Sequence, residues 1–147
     1  MLGFSAGGHL AACASCLFEN DAERPDFAIL SYPVITLEPP HAHAGSRRAL
    51  LGLEADPALV TSLSMEKRVT ARTPPTFLWH TKEDASVPVQ NSMIYAEALQ
   101  RAGVPHELHL YEAGPHGLGM NPDYDAGREW PKACEAWLKA QSLLAPG

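Results

Sequence analysis

The sequence predicts an α/β domain carrying a short, mostly parallel sheet of about three to four strands flanked by helices. Three observations predict it. Strand-like apolar runs alternate with helix-like segments, the pattern that yields parallel strands joined by crossover helices. Most of the 13 prolines fall between those segments or at their starts, and the pairs Pro39-Pro40 and Pro74-Pro75 punctuate loops. The chain has 147 residues, 46% hydrophobic and 19% charged, which is the size and composition of one packed domain.

The elements follow in order. Met1-Leu2 reads as the stub of a first strand, and the Ala- and Leu-rich stretch from Gly8 to about Asn20 as a helix. Phe27-Ala-Ile-Leu-Ser-Tyr32 is a short apolar run closed by Pro33, the pattern of a buried strand. Asp56-Pro57 supplies an N-cap and a first-turn proline for a helix to about Ser64. Thr76-Phe-Leu-Trp-His-Thr81 is a second buried strand, entered from Pro74-Pro75. Pro88 to Ala102 reads as a helix stopped by Gly103. His106-Glu-Leu-His-Leu-Tyr111 alternates, so one face of that strand is wetter. A last helix is expected from Trp130-Pro131, with Cys134, Trp137, Leu138 and Leu143 at helical spacing.

Composition removes several function classes. No apolar run approaches the ~18 residues of a membrane span, and mean hydropathy is −0.15. A net charge of −6 argues against nucleic acid as a partner, because phosphate binding needs a basic face. Three cysteines make neither a disulfide framework nor a zinc pattern, so a reducing, cytoplasmic setting is the default expectation. The segment Met1-Leu2-Gly3-Phe4-Ser5 has no charged start and no long apolar stretch, so it is not a signal peptide; it has the texture of a domain interior.

Gly3-Phe4-Ser5-Ala6-Gly7, followed by Gly8, fits G-x-S-x-G. A serine held on a tight strand-to-helix turn needs neighbours without bulk, and the turn projects its Oγ from the sheet. The turn also aims the N-terminus of the following helix at any developing oxyanion. A nucleophilic serine needs a base, and the base an orienting carboxylate. Asp84 follows the strand Thr76–Thr81, and His116 lies in Gly114-Pro-His-Gly-Leu-Gly119 after the strand ending at Tyr111. Ser5, Asp84 and His116 therefore all fall at the C-terminal ends of strands, where open α/β sheets place ligands. Glu83 adjoins Asp84 but points another way along the loop, and Asp123 and Asp125 come after His116, the wrong order for the acid. The bland alternatives are a helix-entry aspartate at 84 and a loop histidine at 116.

Other residues have plainer explanations. His9, Cys13 and Cys16 share a helix face, but with no fourth ligand they read as core, and no metal site is expected. His41 and His43 sit in a Pro-rich loop and read as surface; His80 and His109 lie within strands and read as structural. Tyr32, ending a strand beside Ser5, is a candidate wall of the acyl pocket.

Gly3-Phe-Ser-Ala-Gly-Gly-His-Leu-Ala11, Pro75-Thr-Phe-Leu-Trp-His-Thr-Lys-Glu-Asp-Ala-Ser-Val-Pro88 and Pro115-His-Gly-Leu-Gly119 together resemble the C-terminal half of an α/β-hydrolase esterase or lipase, of the bacterial acetyl xylan and feruloyl esterase group. Trp130-Pro-Lys-Ala-Cys-Glu-Ala-Trp-Leu138 resembles the closing helix of that group. The resemblance spans the chain and implies a truncated α/β-hydrolase fold, one domain lacking the usual N-terminal half. It implies hydrolysis of a small-molecule ester with no cofactor, with Ser5 as nucleophile, His116 as base and Asp84 as acid. Such esterases also carry a His-Gly-Gly-like segment that completes the oxyanion hole. No such segment occurs in the 147 residues, so only the Ala6 donor carries over. A catalytically silent interaction module is the alternative from another class, and a peptidase a third reading. With the preceding strands missing, Phe27–Tyr32 is expected to present an open apolar edge, and a homo-oligomer that buries it is expected.

Overall fold

The computed structural model describes residues 1–143. Strands β1 (Leu2–Phe4), β2 (Ala28–Ser31), β3 (Thr76–Thr81) and β4 (His106–Tyr111) pair in parallel in that order. Strand β1 is longer than the expected stub and pairs along its whole length, Leu2 with Ile29, Gly3 with Leu30 and Phe4 with Ser31. The expectation that Phe27–Tyr32 forms an open edge is therefore corrected. Strand β2 lies inside the sheet, and the outer side of β1 is the edge. Met1 N lies 2.8 Å from Phe27 O and Met1 O accepts from Ile29 N (2.9 Å), which extends the β1–β2 pairing by one residue.

Side chains alternate across a strand, and the two faces read differently. Ala28, Leu30 and Leu78 pack on one side with Ala11 and Ala12 of α1 (Ala6–Cys16) and with Tyr95 and Leu99 of the long helix between β3 and β4. Strands added in sequence order by right-handed crossovers put those helices on one face. Ile29, Phe77 and Trp79 point the other way, against Ala126, Trp130, Cys134 and Trp137 of the final helix. The Trp79 and Trp130 rings stack there with centroids 5.2 Å apart. A third cluster, Val34, Leu37, Val60 and Val87, fills the space under the loops at the C-terminal ends of the strands.

Helix boundaries depart from the sequence expectations in instructive ways. Helix α1 starts at Ala6 and stops at Cys16, because the Ser5 turn itself opens it. The loop around His41 and His43 contains a helix, α2 (Ala44–Leu51), whose N-terminus is capped by His43 Nδ1 accepting from Ser46 N (3.1 Å). Its sequence, AGSRRALL, buries no residue, so it lacks the apolar stripe that marks a helix. The segment from Asp56 divides into α3 (Pro57–Ser62), capped by the Asp56 carboxylate on Ala58 N (2.8 Å), and a 3₁₀ turn at Met65–Lys67. Helix α4 covers Gln90–Arg101. Helix α5 runs Asp125–Ala140, five residues earlier than expected, with Pro131 inside it and Leu143 beyond its end but packed on the same core. Among the described residues, no helix is long and apolar enough to cross a membrane.

Candidate active site

Ser5 links β1 to α1 with φ 53° and ψ −122°, a strained conformation for a residue bearing a Cβ. Four backbone hydrogen bonds hold it there. Ser5 N donates to Ser31 O (3.0 Å), and Ser5 O accepts from Gly8 N (3.0 Å), His9 N (3.3 Å) and Val34 N (3.0 Å). The turn fits only where neighbours lack side chains. A Cβ on Gly3 would lie 2.2 Å from Gly7 O, and one on Gly8 2.6 Å from Pro33 Cβ. At Gly7 it would meet nothing within 4 Å, so the expectation that every glycine of the motif is there for space is corrected. Ala6 is exposed and sits in the first turn of α1, where backbone N–H groups have no acceptor within the helix.

The structure brings the three sequence-predicted residues together at the C-terminal ends of β1, β3 and β4. The Ser5 hydroxyl lies 2.7 Å from His116 Nε2, and His116 Nδ1 lies 2.6 Å from Asp84 Oδ2. A carboxylate can only accept, so His116 Nδ1 carries the proton and Nε2 is left to accept from the serine. Asp84 Oδ1 accepts from Ser86 N and Val87 N, both at 2.9 Å. Burial alone would raise the Asp84 pKa. The hydrogen bonds from His80, His116, Val87 N and Ser86 N outweigh it and hold the carboxyl far below the usual carboxylate range. The acid is thus ionised and fixed in position.

The loop bearing His116 is tied down from several sides. Thr81 Oγ1 donates to Gly114 O (2.7 Å), and Trp130 Nε1 donates to Gly119 O (2.9 Å). Glu83 accepts from Gly114 N (3.4 Å), so it serves the loop and leaves the imidazole to Asp84. Tyr32, with φ 37°, is buried, and its ring meets the His116 ring edge-on with centroids 5.0 Å apart. It packs also on Phe4 and Trp79.

A residue that sequence reasoning placed among structural ones also touches Asp84. His80 Nε2 lies 3.2 Å from Asp84 Oδ2, and the ring is wholly buried. The signal was an imidazole in a strand whose every residue is buried. Asn91 of α4 was missed too. Its Oδ1 accepts from Ile35 N and Thr36 N, and its Nδ2 donates to His41 O and Pro88 O, joining the loop after β2 to α4. An apolar groove of about 510 Å³ begins at Ala6 and runs between α1 and α2, past Leu10, Leu37, Ala49, Leu50 and Leu63. His9 Nε2 is engaged by Leu63 O (2.8 Å), and among the described residues no group of three His, Cys, Asp or Glu is arranged around a metal position.

A parallel sheet with helices on both faces, and a serine on a strained strand-to-helix turn backed by histidine and aspartate, define the α/β-hydrolase class. Comparison with known proteins gives the family. The profile of the prolyl oligopeptidase family matches residues 1–143, and the chain belongs to that family. The chain is 48% identical to the acetyl ester-xyloside bifunctional hydrolase of Caldicellulosiruptor lactoaceticus, with a TM-score of 0.92 over 98% of this chain and 57% of that one. A carboxylesterase from Lactobacillus plantarum aligns with a TM-score of 0.80 at 29% identity, over 99% of this chain and 59% of that one. In sequence, the acetylxylan esterase of Xylanibacter ruminicola is 35% identical over 99% of this chain and 31% of its own length. The chain thus spans somewhat more than half of these solved structures and about a third of that curated relative.

Proposed function

We propose that this chain carries the catalytic residues of a carboxylic ester hydrolase acting on short acyl, acetyl-type esters. The carrying observation is the continuous array Ser5 Oγ–His116 Nε2 (2.7 Å) and His116 Nδ1–Asp84 Oδ2 (2.6 Å). Similarity to an acetylxylan esterase and an acetyl ester-xyloside hydrolase supports the substrate class.

In this reading, Ser5 Oγ attacks the ester carbonyl carbon while His116 Nε2 takes its proton. The resulting oxyanion faces Ala6 N–H at the positive end of α1. The tetrahedral species collapses, the C–O bond to the alcohol breaks, and His116 returns the proton to that alcohol. Water, deprotonated by His116, then attacks acyl-Ser5; the bond between Ser5 Oγ and the acyl carbon breaks, His116 returns the proton to Oγ, and the carboxylic acid leaves. Asp84 keeps Nδ1 protonated and offsets the charge of the imidazolium. Ser5→Ala is expected to lower p-nitrophenyl acetate hydrolysis by a factor on the order of a million, the loss where a comparable serine is removed. A fluorophosphonate probe is expected to label the unaltered chain at Ser5. An unlabelled chain, or a Ser5→Ala variant that retains turnover, refutes the assignment.

A further inference from the structure

The array described above leaves one polar group of the site without a task. His80 is fully buried at the end of β3, its ring turned to the α4 side like Leu78 two residues before it. Burying an imidazole is unfavourable compared with an apolar side chain unless its nitrogens are satisfied. Both are. Nε2 lies 3.0 Å from Val87 O and 3.2 Å from Asp84 Oδ2, and both of those only accept, so Nε2 carries a proton shared between them. Nδ1 lies 2.8 Å from Ser92 Oγ of α4, whose hydroxyl donates into it.

Asp84 Oδ2 therefore receives two imidazole N–H groups, from His80 and from His116, while Oδ1 receives two backbone N–H groups. The backbone pair fixes one oxygen, and a carboxylate can still rotate about that contact. A second donor on Oδ2, from a ring that cannot move, removes this freedom.

Resting on the ester-hydrolase reading, we infer that His80 is a positioning residue: with its tautomer set by Ser92, it pins Asp84 Oδ2 where that oxygen holds the Nδ1–H of His116. Removal of the His80 donor leaves Oδ2 to His116 alone and Val87 O without a partner. The base then loses its fixed orientation, although no atom of His80 meets the substrate.

Three variants of the whole chain test this: His80→Leu, which keeps volume and removes the donor; His80→Gln, which restores an N–H near the place of Nε2; and Ser92→Ala, which removes only the hydroxyl. Proton NMR reads the low-field His116 Nδ1–H resonance, and fluorophosphonate labelling reads the reactivity of Ser5. His80→Leu is expected to lose the resonance to exchange and to label about 10- to 100-fold more slowly, the cost of one hydrogen bond to a charged group. His80→Gln is expected to recover most of both, which mere space-filling would not achieve. A folded His80→Leu variant with the resonance intact and the original labelling rate overturns the inference. Should His80→Leu fail to fold, Ser92→Ala decides, with a weakened resonance expected and an unchanged one overturning. If the unaltered chain does not label at all, the esterase reading fails, and the NMR comparison alone decides the role of His80.

Discussion

At Gly3 the obstacle to a side chain is the backbone of the following helix, and at Gly8 it is the Pro33 ring together with the Pro33 Cα at 2.9 Å. Neither can swing aside as the far end of a long side chain can. At Gly7 there is open space and no positive φ. Gly3→Ala is therefore expected to destabilise the fold by about 1–3 kcal/mol or more, the range for overpacking a rigid site, and Gly8→Ala by a similar amount. Gly7→Ala is expected to be neutral or to add up to about 1 kcal/mol, since alanine is the better helix former. Urea unfolding of the three variants ranks them; a Gly7→Ala as damaging as Gly3→Ala contradicts the steric account. The motif was legible in the sequence because its residue types and spacing are local. Which glycine is needed for space was not, because the answer depends on Pro33, brought beside α1 only when β1 and β2 pair. His80 was hidden for a similar reason. One polar residue in an apolar run says nothing about whether Asp84, four residues on, folds back onto it.

Strands and amphipathic helices were readable to within a few residues, because burial on one face leaves a period in the sequence. Elements without that imprint were not. Helix α2 buries none of its residues and is held by a histidine cap, so no apolar stripe announced it. Helix α5 was expected to begin at Trp130-Pro131, since proline favours a first turn. It begins at Asp125, because Ala126 already packs with Phe77, Trp79 and Leu118 and Gly127 lies against the Asn121 backbone, and that packing outweighs the cost of an interior proline. The weight α5 carries is testable. Trp137, 2% exposed, meets Phe77 and Phe27 with ring centroids 5.8 and 6.3 Å away. Trp137→Ala is expected to lower stability by about 3–5 kcal/mol through the cavity it leaves. Leu53→Ala, at a position 80% exposed, is expected to change it by less than about 0.5 kcal/mol. Denaturant midpoints of the two variants check this, and equal midpoints would show that α5 is not a pillar of the core.

For the molecule as a whole, the outer side of β1 matters most. Strand β4 is the other edge of the sheet and carries charged and polar side chains at His106, Glu107 and His109. Among the described residues, nothing pairs with the outer side of β1. Met1, Leu2 and Phe4 are 51%, 52% and 37% exposed, and Leu10 on the adjoining helix is 70% exposed. An unpaired backbone edge lined by apolar side chains is a template for pairing with another chain, and two copies related by a two-fold axis satisfy each other with the same surface. The 147-residue chain is therefore proposed to associate with itself along β1. Light scattering after size exclusion is expected to give a mass above 15.9 kDa that falls on dilution. Leu2→Lys places a charge on that edge without touching Ser5, Asp84 or His116, and is expected to shift the population to monomer with the Ser5–His116–Asp84 geometry retained. A monomeric mass at every concentration for the unaltered chain would show that the β1 edge stays solvated. Because β1 leads directly into the Ser5 turn, pairing there would also steady the backbone that aims the nucleophile. The Leu2→Lys variant separates the two effects, since weaker fluorophosphonate labelling in the monomer would tie reactivity at Ser5 to the order of the edge strand.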